Sequence, residues 1–178
     1  MSSNAFDRAR RALDGIPDGF QKAVFSAMGR TVSHGKTSLR REIQKKYTVK
    51  TKVIRKTIAT KLIKKPDITE GQVQVKSPNL LANQFSLRPQ SDTTGAKRKE
   101  VRLGIRKGST KRIERGFVSK GIAFKRKGKD SYPIEPVFGP AVPGLVDERM
   151  IDTVLSDAKE TFEKRLKHEV SRVLKRIK

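Results

Sequence analysis

The sequence predicts an α+β fold: an antiparallel sheet of about four strands, flanked by a long N-terminal helix and a long C-terminal amphipathic helix. Three patterns predict it. Apolar residues recur every three or four positions from Phe20 to about Tyr47, and again from Val146 to Ile177, as one-sided helices require. Between those stretches the period falls to two, as half-buried strands require. At 178 residues the chain suits a single domain, 1–178. Its expected parts are an N-terminal arm (1–17), a basic helical region (18–60), a β-rich region with a basic hairpin (61–130), a Pro-rich connector (131–146) and the C-terminal helix (147–178).

The first helix begins after "IPDG", where Asp18 is placed to cap it. Phe20, Val24, Ala27, Met28, Thr31 and Val32 share one face, and the pattern runs on through Leu39 and Ile43. A glycine inside a helix costs roughly 1 kcal/mol relative to alanine, so Gly35 is a candidate bend. In "TVKTKVIRKTI", Thr48 could cap a short helix carrying Val49, Val53, Ile54 and Ile58, although an alternating strand fits as well.

"ATKLIKKPDITEGQVQVKSP" reads as strand, turn, strand, with Gln72, Gln74 and Lys76 alternating with Val73 and Val75. "NLLANQFSLRP" is a candidate third strand, and "SDTTGAKRKE" a polar loop. "EVRLGIRKG" alternates Val101, Leu103 and Ile105 with Arg102 and Arg106. "RGFVSKGIAFKRKGKD" reads as a hairpin with Phe117, Ile122 and Phe124 apolar, the two phenylalanines expected in the core, and Gly128 at its exit.

The C-terminal stripe comprises Val146, Met150, Ile151, Val154, Leu155, Ala158, Phe162, Leu166, Val170, Val173, Leu174 and Ile177. Asp147, Glu148 and Asp152 at its start and Arg172, Lys175, Arg176 and Lys178 at its end complement the helix dipole. At about 1.5 Å per residue this helix reaches roughly 45 Å. That is more than a small sheet covers, so part of the stripe is expected to meet another chain.

Hydrophobic and charged residues each make up 34% of the chain, and there is no tryptophan. So thin an apolar supply implies extended parts, or burial completed by other subunits. With no cysteine, disulfides, thiolate chemistry and Cys-based zinc sites are excluded. "MSSNAFDRARRALDG" has no continuous apolar run of the kind a secretory signal needs, and no window approaches the roughly 18 apolar residues of a membrane span. A soluble protein, or part of a soluble assembly, is expected.

The formal net charge is +24, and two blocks carry nearly all of it. Lys36 to Lys65 nets +11, with Glu42 its only acid, and Lys97 to Lys129 nets +12. Such density calls for a polyanion or acidic protein neighbours. The candidate contacts are Lys45, Lys46, Lys50, Lys52, Arg55 and Lys56 in the first block. In the second they are Lys97, Arg98, Lys99, Arg102, Arg106, Lys107, Lys111 and Arg112. Tyr47 is the only aromatic in the first block, which favours phosphate contact over base stacking.

No catalytic constellation emerges. "GRTVSHGKTS" places five residues between Gly29 and Gly35 where a P-loop has four, and it follows a helix rather than a strand. His34 and His168 each stand alone in sequence, with no second ligand at metal spacing, and no Gly-x-Ser-x-Gly is present. The chain reads as a non-enzyme, with no catalytic, cofactor or metal residues and no cofactor.

"YPIEPVFGPAVPGLV", residues 132–146, holds four of the eight prolines. Pro133, Pro136, Pro140 and Pro143 fix their own backbone angles, and Gly139 and Gly144 permit sharp turns between the stiff pieces. A shaped segment should result, presenting Tyr132, Ile134, Val137 and Phe138. It would be either a loop packed under the last helix or a docking surface.

This segment, following a basic hairpin and preceding a long amphipathic helix, resembles the minor tail protein Z family of tailed phages. The resemblance rests on Pro133-Ile134-Glu135, Phe138-Gly139-Pro140 and Pro143, and more loosely on the basic N-terminal helix and "RKTI" around Arg55. It implies a tail completion protein in the virion, assembled in the host cytoplasm and joining head to tail at the head-proximal end. The implied partners are its own copies in a homo-oligomeric ring (a hexamer is the candidate), the tail terminator, the head-tail connector and double-stranded DNA, with no membrane. Tyr132, Pro133, Ile134, Val137, Phe138, Gly139, Pro140 and Pro143 would then be interface residues. Composition alone equally suits a ribosomal or other RNA-binding protein.

Overall fold

Two helices of 28 residues each, α2 (Gly19–Lys46) and α4 (Glu148–Lys175), dominate the computed structural model, which describes residues 3–65, 68–90, 92–93 and 100–175. Both occupy the stretches where the sequence shows helical periodicity, and the fold class is α+β. The described strands form four small antiparallel sheets rather than a single four-stranded one. The chain divides into two compact units.

Unit 1 comprises residues 1–39, 58–74 and 148–178. The expected arm contains a helix, α1 (Ser3–Ala12). Phe6, Ala9 and Leu13 lie on one side of this segment and pack with Ala23, Val24 and Ala27 of α2 and Phe162, Leu166 and Val170 of α4. Phe6 meets Phe20 edge-on at 5.1 Å between centroids and stacks with Phe162 at 6.4 Å. Burying one such side chain contributes about 1.5–3 kcal/mol, so three short stripes suffice for a core.

The hairpin of β1 (Ile58–Lys64) and β2 (Thr69–Val75) belongs to this unit up to Gln74. Gly71 of β2 touches α2 so closely that a Cβ there would fall 2.2 Å from Val32 Cγ2. Helix α2 continues through Gly35, whose position is buried; a Cβ there would sit 3.6 Å from Val73 and 3.8 Å from Val154. The candidate bend thus lies within an unbroken helix, at a buried position. Polar pins join α2 to α4: buried Ser38 donates to Asp157 Oδ2 at 2.6 Å, and His34 Nδ1 lies 3.2 Å from the Thr161 hydroxyl.

Unit 2 comprises residues 40–57 and 75–147. It contains the end of α2 and the short helix α3 (Thr51–Thr57), whose Ile54 is fully buried. Thr48 does not cap α3. Its hydroxyl binds the Gly104 and Ile105 carbonyls and accepts the Ser86 N–H, tying the chain after α2 to two strands. Those strands are β4 (Ser86–Arg88) and β5 (Arg102–Gly104), and β5 also pairs with β6 (Lys111–Arg112).

A second sheet joins β7 (Gly116–Ser119), β8 (Ile122–Arg126) and β9 (Ile134–Pro136) in that order. Lys120 and Gly121, both at positive φ, form the two-residue turn between β7 and β8, the geometry that right-twisted hairpins favour. β10 (Phe138–Ala141) pairs instead with β3 (Asn79–Leu81). The Pro-rich segment thus comprises two edge strands and a 3-10 turn (Pro143–Leu145).

Candidate protein and nucleic-acid interface

Unit 2 contains 24 Lys and Arg against seven Asp and Glu, a net charge of +17 out of the chain's +24. Lys97, Arg98 and Lys99 lie outside the described residues. The other eleven candidate cations are exposed without exception. Folding brings parts of the two sequence blocks together: the Lys107 N–H donates to the Lys46 carbonyl at 3.0 Å, and Tyr47 forms a β-bridge with Arg106. The Arg106 guanidinium sits 5.8 Å from the centre of the Tyr47 ring, which is therefore partly occupied by its own cation. Across β5 and β6, Arg102 lies opposite Arg112.

Acids neutralise only part of this surface. Glu100 bridges Arg102 at 3.1 Å and Arg112 at 2.9 Å. Lys45 pairs with Glu42, and Lys46 with Asp147, both at 2.5 Å. Among the described residues Lys50, Lys52, Arg55, Lys56, Lys107 and Lys111 form no ion pair. Exposed, unpaired ammonium groups repel one another and are available to external anions.

The predicted apolar segment divides into outward and inward positions. Tyr132 is 74% exposed, Phe138 53% and Ile134 37%. Pro133 and Pro143 are exposed too, while Val137, Gly139 and Pro140 are half-buried. Gly139 does not serve as a turn: it lies in β10 against the ring of buried Phe85.

The hairpin corrects a second expectation. Val118 and Ala123 are the fully buried pair, whereas Phe117 and Phe124 lie on the opposite, open side of the sheet. Their rings stack at 5.7 Å, and the Arg126 guanidinium covers Phe117 at 4.8 Å. With Ile122, Tyr132 and Ile134 they line a groove of about 460 Å³, edged by Lys120 and Arg126 and, among the described residues, lined by no acidic side chain. Sequence alternation could have signalled this groove; assigning the larger hydrophobes inward concealed it. On the same sheet Glu135 accepts from Lys125 at 2.9 Å and meets Lys127 at 3.3 Å. The hydrogen bond from Lys125, reinforced by Lys127, holds its carboxyl below the usual glutamate range.

Among the described residues no helix is long and apolar enough to cross a membrane, and no group of three or more acids and histidines is placed to hold a metal. A family model described as prophage minor tail protein Z matches residues 5–178. No curated protein and no solved structure matches the chain.

Proposed function

Because the chain belongs to the prophage minor tail protein Z family, and so to the structural proteins of phage tails, we propose that it completes the head-proximal end of the tail. In this reading copies of the chain form a ring seated against the tail terminator and the head-tail connector, with genome DNA on the axis. The role is structural rather than enzymatic, performed in the virion after assembly in the host cytoplasm.

The observation that carries the reading is a set of exposed apolar side chains, Tyr132, Ile134 and Phe138, on an ordered segment of a unit with net charge +17. A solitary soluble protein gains nothing by exposing three large hydrophobes along one short segment, two of them on edge strands, whereas an interface covers them. Repulsion among stacked copies requires compensating negative charge, which DNA phosphates or acidic neighbouring proteins supply. Family membership favours this reading over a ribosomal or other RNA-binding protein, which composition alone also allowed.

Phe138→Asp tests it. The residue is half exposed, so the variant should remain folded and soluble while heads and tails fail to join. Normal yields of infectious particles from a phage carrying only the variant would refute the interface role.

A further inference from the structure

Two exposed surfaces of the chain have matching chemistry. The first is the groove on the β7–β8–β9 sheet, apolar in its floor (Phe117, Phe124, Ile134) and positive at its edge (Lys120, Arg126). The second is the first two turns of α4. There Glu148, Ile151, Asp152 and Leu155 follow the i, i+3, i+4, i+7 pattern, so they share one helix face. All four are exposed, Ile151 at 46% and Leu155 at 54%. Among the described residues neither Glu148 nor Asp152 forms an ion pair, and neither do Lys120 and Arg126.

We infer that the groove receives the Glu148–Leu155 face of α4 from a second copy of this chain. Ile151 and Leu155 are the anchors that pack onto the groove floor formed by the stacked Phe117 and Phe124 rings and Ile134. Glu148 and Asp152 meet the cations at the edge, the arrangement by which amphipathic helices dock in grooves. Charge selects this occupant. The chain as a whole is strongly positive, so most of its surface repels another copy; at the start of α4 the exposed Glu148 and Asp152 outnumber Arg149 and lie beside exposed apolar residues. Joining two different surfaces makes the contact heterologous, the type that propagates around a ring when the rotation closes. The inference rests on the ring reading above and specifies its contact.

The absence of native cysteine allows a clean test. Full-length Leu155→Cys and Ile134→Cys proteins are mixed and treated with a short bismaleimide, so that a mixed crosslink can form only between chains. The expected result is a mixed dimer well above either homodimer. It should fall about tenfold when Asp152→Lys is added to the Leu155→Cys chain, and recover when Arg126→Glu is added to its Ile134→Cys partner.

Self-association by sedimentation without the mixed crosslink would place the ring contact elsewhere and overturn the inference, while leaving the ring reading intact. A chain that stays monomeric at millimolar concentration would also overturn it; the Phe138→Asp assay would still report separately on the tail role. If a single-stranded oligonucleotide shields Ile134→Cys from maleimide and no mixed crosslink forms, the groove is a nucleic-acid site and the inference fails.

Discussion

The ring of Phe85 lies directly against Gly139: a Cβ at that glycine would fall 2.5 Å from Phe85 Cε2 and 3.1 Å from Cδ2. Phe85 itself is only 2% exposed, so it has little room to retreat. Gly139→Ala should therefore destabilise the fold by about 1–3 kcal/mol through overpacking, read as a lower Tm. Gly144, with nothing within 4 Å of its Cβ position, is the control, and Gly144→Ala should leave Tm nearly unchanged. Equal effects of the two substitutions would show that the Phe85 contact does not set the requirement.

That contact also marks where sequence reasoning reaches its limit. The two long helices were legible because a period of 3.6 repeated over 28 residues survives local exceptions such as Gly35. Helix α1 was legible in principle, since Phe6, Ala9 and Leu13 already form a short stripe; three turns simply offer little signal. The roles of Gly139 and Thr48 were not legible, because both depend on partners distant in sequence, Phe85 for one and Gly104 and Ser86 for the other. Alternation in the hairpin identified two faces but not which one is buried. The face carrying Val118 and Ala123 went inward, and the two phenylalanines were left beside Arg126. The apolar segment 132–146 was legible from its prolines, and the structure shows that Tyr132, Ile134 and Phe138 are its exposed large side chains.

Ser38 and Asp157 should behave as a coupled pair. Ser38 is 5% exposed and its hydroxyl hydrogen-bonds a carboxylate at 2.6 Å, so its removal leaves Asp157 short of a donor. Ser38→Ala is expected to cost about 1–3 kcal/mol in denaturant unfolding. A cycle with Asp157→Ala should return a coupling energy on the order of 1 kcal/mol. A value indistinguishable from zero would mean that the bond adds nothing to the α2–α4 packing.

The Glu135 carboxylate, bound by Lys125 and Lys127, takes up a proton less readily in the folded chain than in the unfolded one. Its contribution to stability is therefore complete above the ordinary glutamate range and is lost as pH falls through the lowered folded value. Glu135→Gln should have a slightly lower Tm than the parent at neutral pH, and the two should converge in acid once the parent carboxyl is protonated. A gap that widens on acidification would contradict this pairing.

Salt dependence separates two roles among the basic side chains. If unit 2 binds duplex DNA through phosphates, log K falls with log salt by about 0.9 per phosphate neutralised. Lys107 and Lys111 are exposed and form no ion pair among the described residues, so replacing both with Ala should lower the slope by about 2. Lys46 is already held by Asp147, and Lys46→Ala should change the slope less than either of those substitutions. Glu100→Gln should act in the opposite direction, because it releases Arg102 and Arg112 together. Fluorescence anisotropy with a labelled duplex across a salt series measures all three. Were the slope indifferent to Lys107 and Lys111 while Glu100→Gln still tightened capture of an acidic tail partner, the basic surface would serve protein rather than DNA.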